Sequence, residues 1–226
     1  MAEVFLFAGP SAVGLPQRCL RLCDQLGPAR RGDVDRLIAA GAGRPPSVIV
    51  LADGIFGFEP AVSHAELYRA LDAGWQVWGC SSMGAIRAWE LRDEGMRGHG
   101  WVYDQFAAHN DFTDDEMALL HLPAHPWDAL SEPLVNLRHA LLQRGESLGI
   151  GRAAQRRLLA WLQGLWFGER TNVLTLDLLV GPLQVSSRAA LALLNHLERR
   201  RVKNLDLQDL LMRRPWRQAA PRRRGR

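Results

Sequence analysis

The chain has 226 residues, 47% of them hydrophobic and 23% charged, an ordinary globular balance that excludes a disordered, fibrous or low-complexity protein. Its length allows one large domain or a domain with an appendage, and no uncharged apolar run approaches the roughly 18 residues a membrane helix needs. The formal charge of +4 is local: seven arginines fall between Arg213 and Arg226, and the rest of the chain sums to −3. The basicity therefore belongs to a C-terminal tail, which reads either as a solvated end or as a strand of charge for an acidic partner. Neither a membrane nor a nucleic acid is expected as a partner.

The opening MAEVFLFAGPS carries an acid and no basic stretch, so it reads as a strand and not as a signal peptide. Glu3 to Ala8 is that strand, and it ends at Gly9-Pro10-Ser11. Leu15 to Leu26 is predicted to be a helix, with Pro16 in its first turn. Ala29 to Arg31 is a candidate short strand, and Asp33 is the expected N-cap of a helix to Ala40. Ser47 to Ala52 (SVIVLA) is the clearest strand, a β-branched run ending at Asp53-Gly54. Val62 to Ala73 is a helix closed by Gly74, Trp75 to Gly79 a strand, and Met83 to Glu94 a helix closed by Gly95. Short strands joined by single helices imply a parallel sheet with helical cover, whose ligands bind at the carboxyl ends of the strands. The special residues fall at that edge.

Beyond about residue 100 the pattern changes. Gly98 to Phe112 is aromatic and polar without an assigned element. Thr113 is predicted to start a helix to about Leu120, with Glu116 as the reach-back acid of a capping box. Asp114, Asp115 and Glu116 serve either such a cap or a cation. His121 to Pro133 is a proline-rich connector. Helices follow at Leu134–Arg144, Ala153–Phe167, Thr171–Leu179, Ser186–Arg199 and Leu205–Met212. The expected fold is α/β, a short parallel sheet flanked by helices in Rossmann- or hydrolase-like layers, with an all-helical C-terminal extension. The expected boundaries are 1–122 for the α/β core, 123–212 for the helical region and 213–226 for an arginine-rich disordered tail.

The three cysteines, Cys19, Cys23 and Cys80, are odd in number and form no CxxC pair. Reduced thiols and a cytoplasmic location are expected, with no metal and no cofactor. The sharpest motif is Gly79-Cys80-Ser81-Ser82-Met83-Gly84-Ala85. A serine at a strand-to-helix turn, with small residues two before and two after, is the nucleophile-elbow pattern. Ser82 fits it, and Ser81 fits less well because Met83 would take a crowded place. The amides near Met83 and Gly84 at the helix start are candidate oxyanion donors. Simple helix capping by either serine is the competing reading. Cys80 is a candidate nucleophile or an inert packed thiol.

His64 shares a helix face with Leu67, Tyr68 and Leu71, so it is expected to point inward or to the edge beside the serine loop, as a general base or as a bonded core histidine. Asp53 reads as an orienting acid, a metal holder or a turn residue. Arg87 lines the pocket or pairs with Glu90. Asp33, Glu66 and Gly9-Pro10-Ser11 complete the candidate pocket. No Walker or dinucleotide fingerprint is present, so nucleotide binding rests on helix N-termini alone.

In order along the chain, Gly9-Pro10-Ser11, Pro28-Ala29, Arg31-Gly32-Asp33, Asp53-Gly54-Ile55-Phe56, Val62 with His64 and Glu66, GCSSMGAIRAWE from Gly79 to Glu90, Gly95-Met96 with Gly98 and Gly100, and Asp114-Asp115-Glu116 resemble the TfuA-like family over about residues 3 to 120. The resemblance implies a role in peptide backbone thioamidation beside a YcaO-type enzyme that activates the amide of a precursor peptide or protein. It implies release of sulfur from a thiocarboxylated ThiS-like carrier and a serine–lysine hydrolase-like site. Where the family reads His-Lys-Glu, this chain has His64-Ala65-Glu66, and its only lysine is Lys203. Three outcomes stay open: His64 serves as base, Lys203 or an arginine arrives by folding, or hydrolysis is lost and the protein is a non-catalytic adaptor.

Overall fold

The computed structural model describes residues 3–41, 47–57, 59–109 and 112–218. The chain divides into two compact units, one of Met1–Phe112 with Asp206–Arg226 and one of Thr113–Leu205.

The first unit is built on five parallel strands, β1 (Val4–Phe7), β2 (Asp24–Leu26), β3 (Val48–Leu51), β4 (Gln76–Cys80) and β5 (Arg97–His99), in the order β2-β1-β3-β4-β5. The β-branched run of β3 is almost wholly out of water, at 0–1% exposure, as a central parallel strand covered on both faces requires. Alternation then sorts the faces. Leu6, Val48, Val50, Trp78 and Cys80 pack with Cys19 and Leu20 of α1 (Gln17–Leu20), with Leu207, Leu210 and Leu211 of α10 (Val202–Arg213), and with Trp216. The opposite face carries Gly79, against α4 (Met83–Glu90), and Gly98, against Tyr103 of α5 (Trp101–Ala108). There α2 (Asp33–Ala40) and α3 (His64–Asp72) complete the cover.

Several expectations are corrected here. The helix expected over Leu15–Leu26 stops after Leu20, and Asp24–Leu26 becomes the edge strand β2. Pairing with β1 supplies hydrogen bonds that the local pattern does not advertise. Ala29–Arg31 forms no strand but two isolated bridges, Ala29 to Gly54 and Arg30 to Ala61. The unassigned stretch after Gly98 holds part of β5 and all of α5. Within the expected tail, α10 runs to Arg213 and Trp216 is buried, 6.3 Å ring to ring from Trp78. Residues 219–226 of that tail lie outside the described residues. By contact the stretch from Asp206 groups with the sheet.

The second unit packs α6 (Leu134–Arg144), α7 (Arg152–Gln163), α8 (Asn172–Val180) and α9 (Ser187–Arg199) around Leu134, Leu141, Leu158, Leu162, Leu179 and Leu193. Thr171 and Ser186 cap α8 and α9 through their hydroxyls. The helix expected from Thr113 is only a 3-10 turn at Asp114–Glu116, and Thr113 makes no side-chain cap. Its acids are held by arginines instead. Glu116 accepts from Arg138 at 2.5 and 3.2 Å, and Asp115 accepts from the buried Arg170 at 2.8 and 2.9 Å.

Candidate active site

The carboxyl edge of the sheet is organised by Asp53, which follows β3. Its Oδ2 accepts the N–H groups of Gly9 and Ser11 at 2.8 Å each, and its Oδ1 accepts the Ser11 hydroxyl at 2.7 Å. Ser11 and Asp53 are 1% and 3% exposed. Asp53 therefore fixes the Gly9-Pro10-Ser11 turn, with both oxygens occupied by protein donors.

Ser81 follows β4 with φ +66°. The Ser82 N–H donates to Cys80 O at 2.7 Å, closing a γ-turn of the rare, strained, positive-φ kind. A non-glycine residue held there costs about 1–3 kcal/mol, and such strain persists only where the surroundings impose it. The surroundings are glycines. A Cβ on Gly84 would lie 1.7 Å from Leu51 O, and one on Gly79 would lie 2.0 Å from Gly84 O. So α4 starts in backbone-to-backbone contact with β3 and β4. The elbow thus falls on Ser81, with Ser82 next at φ −140°. The crowding expected from Met83 is relieved by Gly54, where a Cβ would come 2.7 Å from the Met83 side chain.

The amides at the start of α4 are mostly spent. Gly84 N–H donates to Ala52 O at 3.1 Å and Ala85 N–H to Ser82 O at 2.8 Å. Of the two donors expected for an oxyanion, only the Met83 N–H has no acceptor among the described residues. Burial pushes the Cys80 thiol far up, which keeps it protonated and inert as a nucleophile. It instead accepts the Ser81 hydroxyl at 3.3 Å.

His64 does not point inward with the buried Leu67. Its ring is 52% exposed, and its Nε2 lies 2.8 Å from Glu90 Oε2. Glu90 stands at the far end of α4, eight residues beyond Ser82, or about 12 Å along the helix. Arg87 joins this group, donating to Glu90 at 2.6 Å and to Val62 O at 3.0 Å. The three side chains tie the start of α3 to the end of α4, so the structure does not bring His64 or Arg87 to the serines.

Glu66 is 1% exposed. Its Oε1 closes a capping box with Ser63, and its Oε2 accepts Gly32 N–H at 2.6 Å. The cap of α2 is Gly32, at φ +88°, rather than Asp33. Asp33 accepts Arg30 N–H at 2.6 Å and pairs with Arg36. Glu66 and Asp33 therefore shape the loop that precedes α2. Lys203 belongs to the helical unit, where its buried Nζ donates to Met117 O at 3.1 Å.

A histidine not singled out in the sequence stands at the serine's strand end. His99 closes β5 as the lateral partner of Cys80, about 4.8 Å away and on the same face. Its Nε2 lies 2.9 Å from Asp209 Oδ2 on α10, and its side chain is 21% exposed. Burial works to raise the Asp209 carboxyl, but bonds to Arg213 and His99 outweigh it and hold the group below the usual carboxylate range. One turn earlier on α10, Asp206 accepts the N–H groups of Trp101 and Val102 at 2.9 and 2.8 Å. Burial pushes its carboxyl up to about 7 against those two amides. The signal was present as Gly98-His99-Gly100 and as Asp206, Asp209 and Arg213 at i, i+3 and i+7.

A family model described as TfuA-like protein matches residues 53–171, from the acid that orders the first turn into the helical unit. None of the curated proteins matches the chain.

Proposed function

The chain belongs to the TfuA-like family, and from that membership we propose that it serves peptide backbone thioamidation beside a YcaO-type enzyme, hydrolysing the thiocarboxylate end of a ThiS-like carrier to free sulfide. The observation that carries this reading is the strained serine at the carboxyl edge. Ser81 Oγ attacks the acyl carbon of the carrier. The Met83 N–H receives the developing oxyanion. With its Nε2–H donating to Asp209, His99 presents Nδ1 as the basic nitrogen that takes the serine proton. The carbon–sulfur bond breaks, and sulfide leaves carrying that proton. Water then cleaves the serine ester, leaving the carrier as a carboxylate. Ser81 and His99 take the parts expected of Ser82 and His64, because the strain lies at Ser81 and the His64 ring is held by Glu90.

The deciding experiment measures sulfide release from a thiocarboxylated carrier. Ser81→Ala is expected to lower it by at least about a thousandfold, and His99→Ala by at least about a hundredfold. Ser82→Ala and His64→Ala should retain most of it. Since Ser81 and Ser82 are only 0% and 2% exposed, release should rise when the YcaO-type enzyme and precursor peptide are added to open the edge. Unchanged release by Ser81→Ala would sink the assignment.

A second reading, a non-catalytic adaptor that binds the enzyme and the peptide, is favoured by the same closure and by Ala65 in the place of the family lysine. It predicts binding to the YcaO-type enzyme with no sulfide release from any of these proteins.

A further inference from the structure

The amino edge of the same sheet holds a cleft of about 580 Å³ that the hydrolase reading leaves unused. That volume falls in the range of small-ligand sites, about 300–1,000 Å³. Its apolar floor comes from the first residues of two strands, Val4 and Val48, together with Leu22, Leu211 and Trp216. Among the described residues three guanidinium groups join the lining, Arg21, Arg214 and Arg217, and no acidic side chain does. The Asp24 carboxylate acts on the neighbouring Cys23 thiol, but Asp24 itself is outside the lining.

Arg214 is the informative residue. It sits at φ +51°, a left-handed conformation unusual for a side chain of that size. Its Nε is buried and has no hydrogen-bond partner among the described residues. A buried donor left unmade costs about 1–3 kcal/mol and calls for an explanation. Arg214 lines the cleft, and an acceptor bound there that turns the guanidinium would give that nitrogen a partner. The planar fork of arginine matches a carboxylate in two-point geometry, and the apolar floor selects a ligand that carries its charge on a hydrophobic body.

We propose that this cleft binds a carboxylate borne on an apolar group, with Arg214 and Arg21 gripping the charge and Trp216 and Leu22 the body. The site is separate from the serine edge and stands whether or not the protein hydrolyses a thiocarboxylate.

Titration calorimetry of the full chain tests this with 4-phenylbutyrate, with the blocked acidic tripeptide acetyl-Leu-Asp-Leu-amide, and with the neutral 4-phenylbutanol. At least one of the two acids is expected to bind in the sub-millimolar range. Arg214→Gln and the exposed Arg21→Gln should each weaken that binding about tenfold, and the alcohol should bind at least about tenfold more weakly than the acid. The tighter acid names the source, a free organic acid or an acidic peptide, and either supports the site. Arg21→Gln replaces a surface side chain, so its effect is readable even if Arg214→Gln folds poorly. Three results would each overturn the proposal: no heat from either acid up to its solubility limit, equal binding of the alcohol, or affinities unchanged in both variants.

Discussion

The two edges of this one sheet handle charge in opposite ways. At the carboxyl edge the acids are turned inward and spent. Asp53 holds the first turn, Asp206 holds two amides at the start of α5, and Asp209 holds His99. At the amino edge Arg21, Arg214 and Arg217 line an open cleft in which no acid takes part among the described residues. Backbone direction explains the difference. Loops that leave parallel strands lead into helix N-termini, whose N–H groups need acceptors, so carboxylates there become framework. The amino edge presents no such row of donors, and the proposed carboxylate ligand would meet Arg21 and Arg214 there.

Substitutions at the carboxyl edge break that framework in a graded way. Gly84→Ala has the largest expected effect, because its Cβ would meet the Leu51 carbonyl at 1.7 Å. Backbone cannot yield as a side-chain tip does, so a loss of about 3 kcal/mol or more is expected by urea denaturation. Ser81→Gly is smaller and opposite in sign. Glycine accepts φ +66° without strain, so the variant should be more stable by about 1 kcal/mol while sulfide release disappears. A destabilised Ser81→Gly protein would show that the turn is not strained.

Asp206 gives the most conditional effect, one that appears only as pH is varied. Its folded carboxyl is raised to about 7 by burial, above the roughly 3.9 of an unfolded chain. Between those values the folded state holds the extra proton, so this group's contribution is fully present below pH about 4 and is lost as pH rises through 7. Asp206→Asn has no such titration. Its urea midpoint, compared with wild type from pH 4 to 8, should lack this downward component. Parallel pH profiles would remove Asp206 from the account.

The parts of the fold legible in the sequence were those set by local pattern. The run SVIVLA announces β3, and Ser63 with Glu66 announces the start of α3 through a capping box that forms. The parts that were not legible depend on partners distant in the chain. β2 and β5 are three residues each, polar or glycine-rich, and become strands only by pairing with β1 and β4. Thr113 to Leu120 shows the reverse: its spacing suits a helix, but Arg138 and Arg170 draw Glu116 and Asp115 into ion pairs. At the candidate site, small residues marked the elbow but not which serine occupies it. Gly54, remote in sequence, makes room for Met83 and shifts the strain to Ser81. His99 was invisible as a partner because its neighbour Cys80 lies on another strand and Asp209 lies 110 residues away.

The α/β unit takes a covering helix from residues after Leu205, with Thr113–Leu205 forming a unit of their own in between. Synthesis runs from the amino terminus, so the strands emerge from the ribosome long before Leu207, Leu210, Leu211 and Trp216, which cover one of their faces. That apolar face stays open to chaperones and proteases until those residues have been made. A chain cut after Leu205 would keep the residues of the helical unit and leave that face of the sheet uncovered, which makes the segment from Asp206 a condition for closing the α/β core.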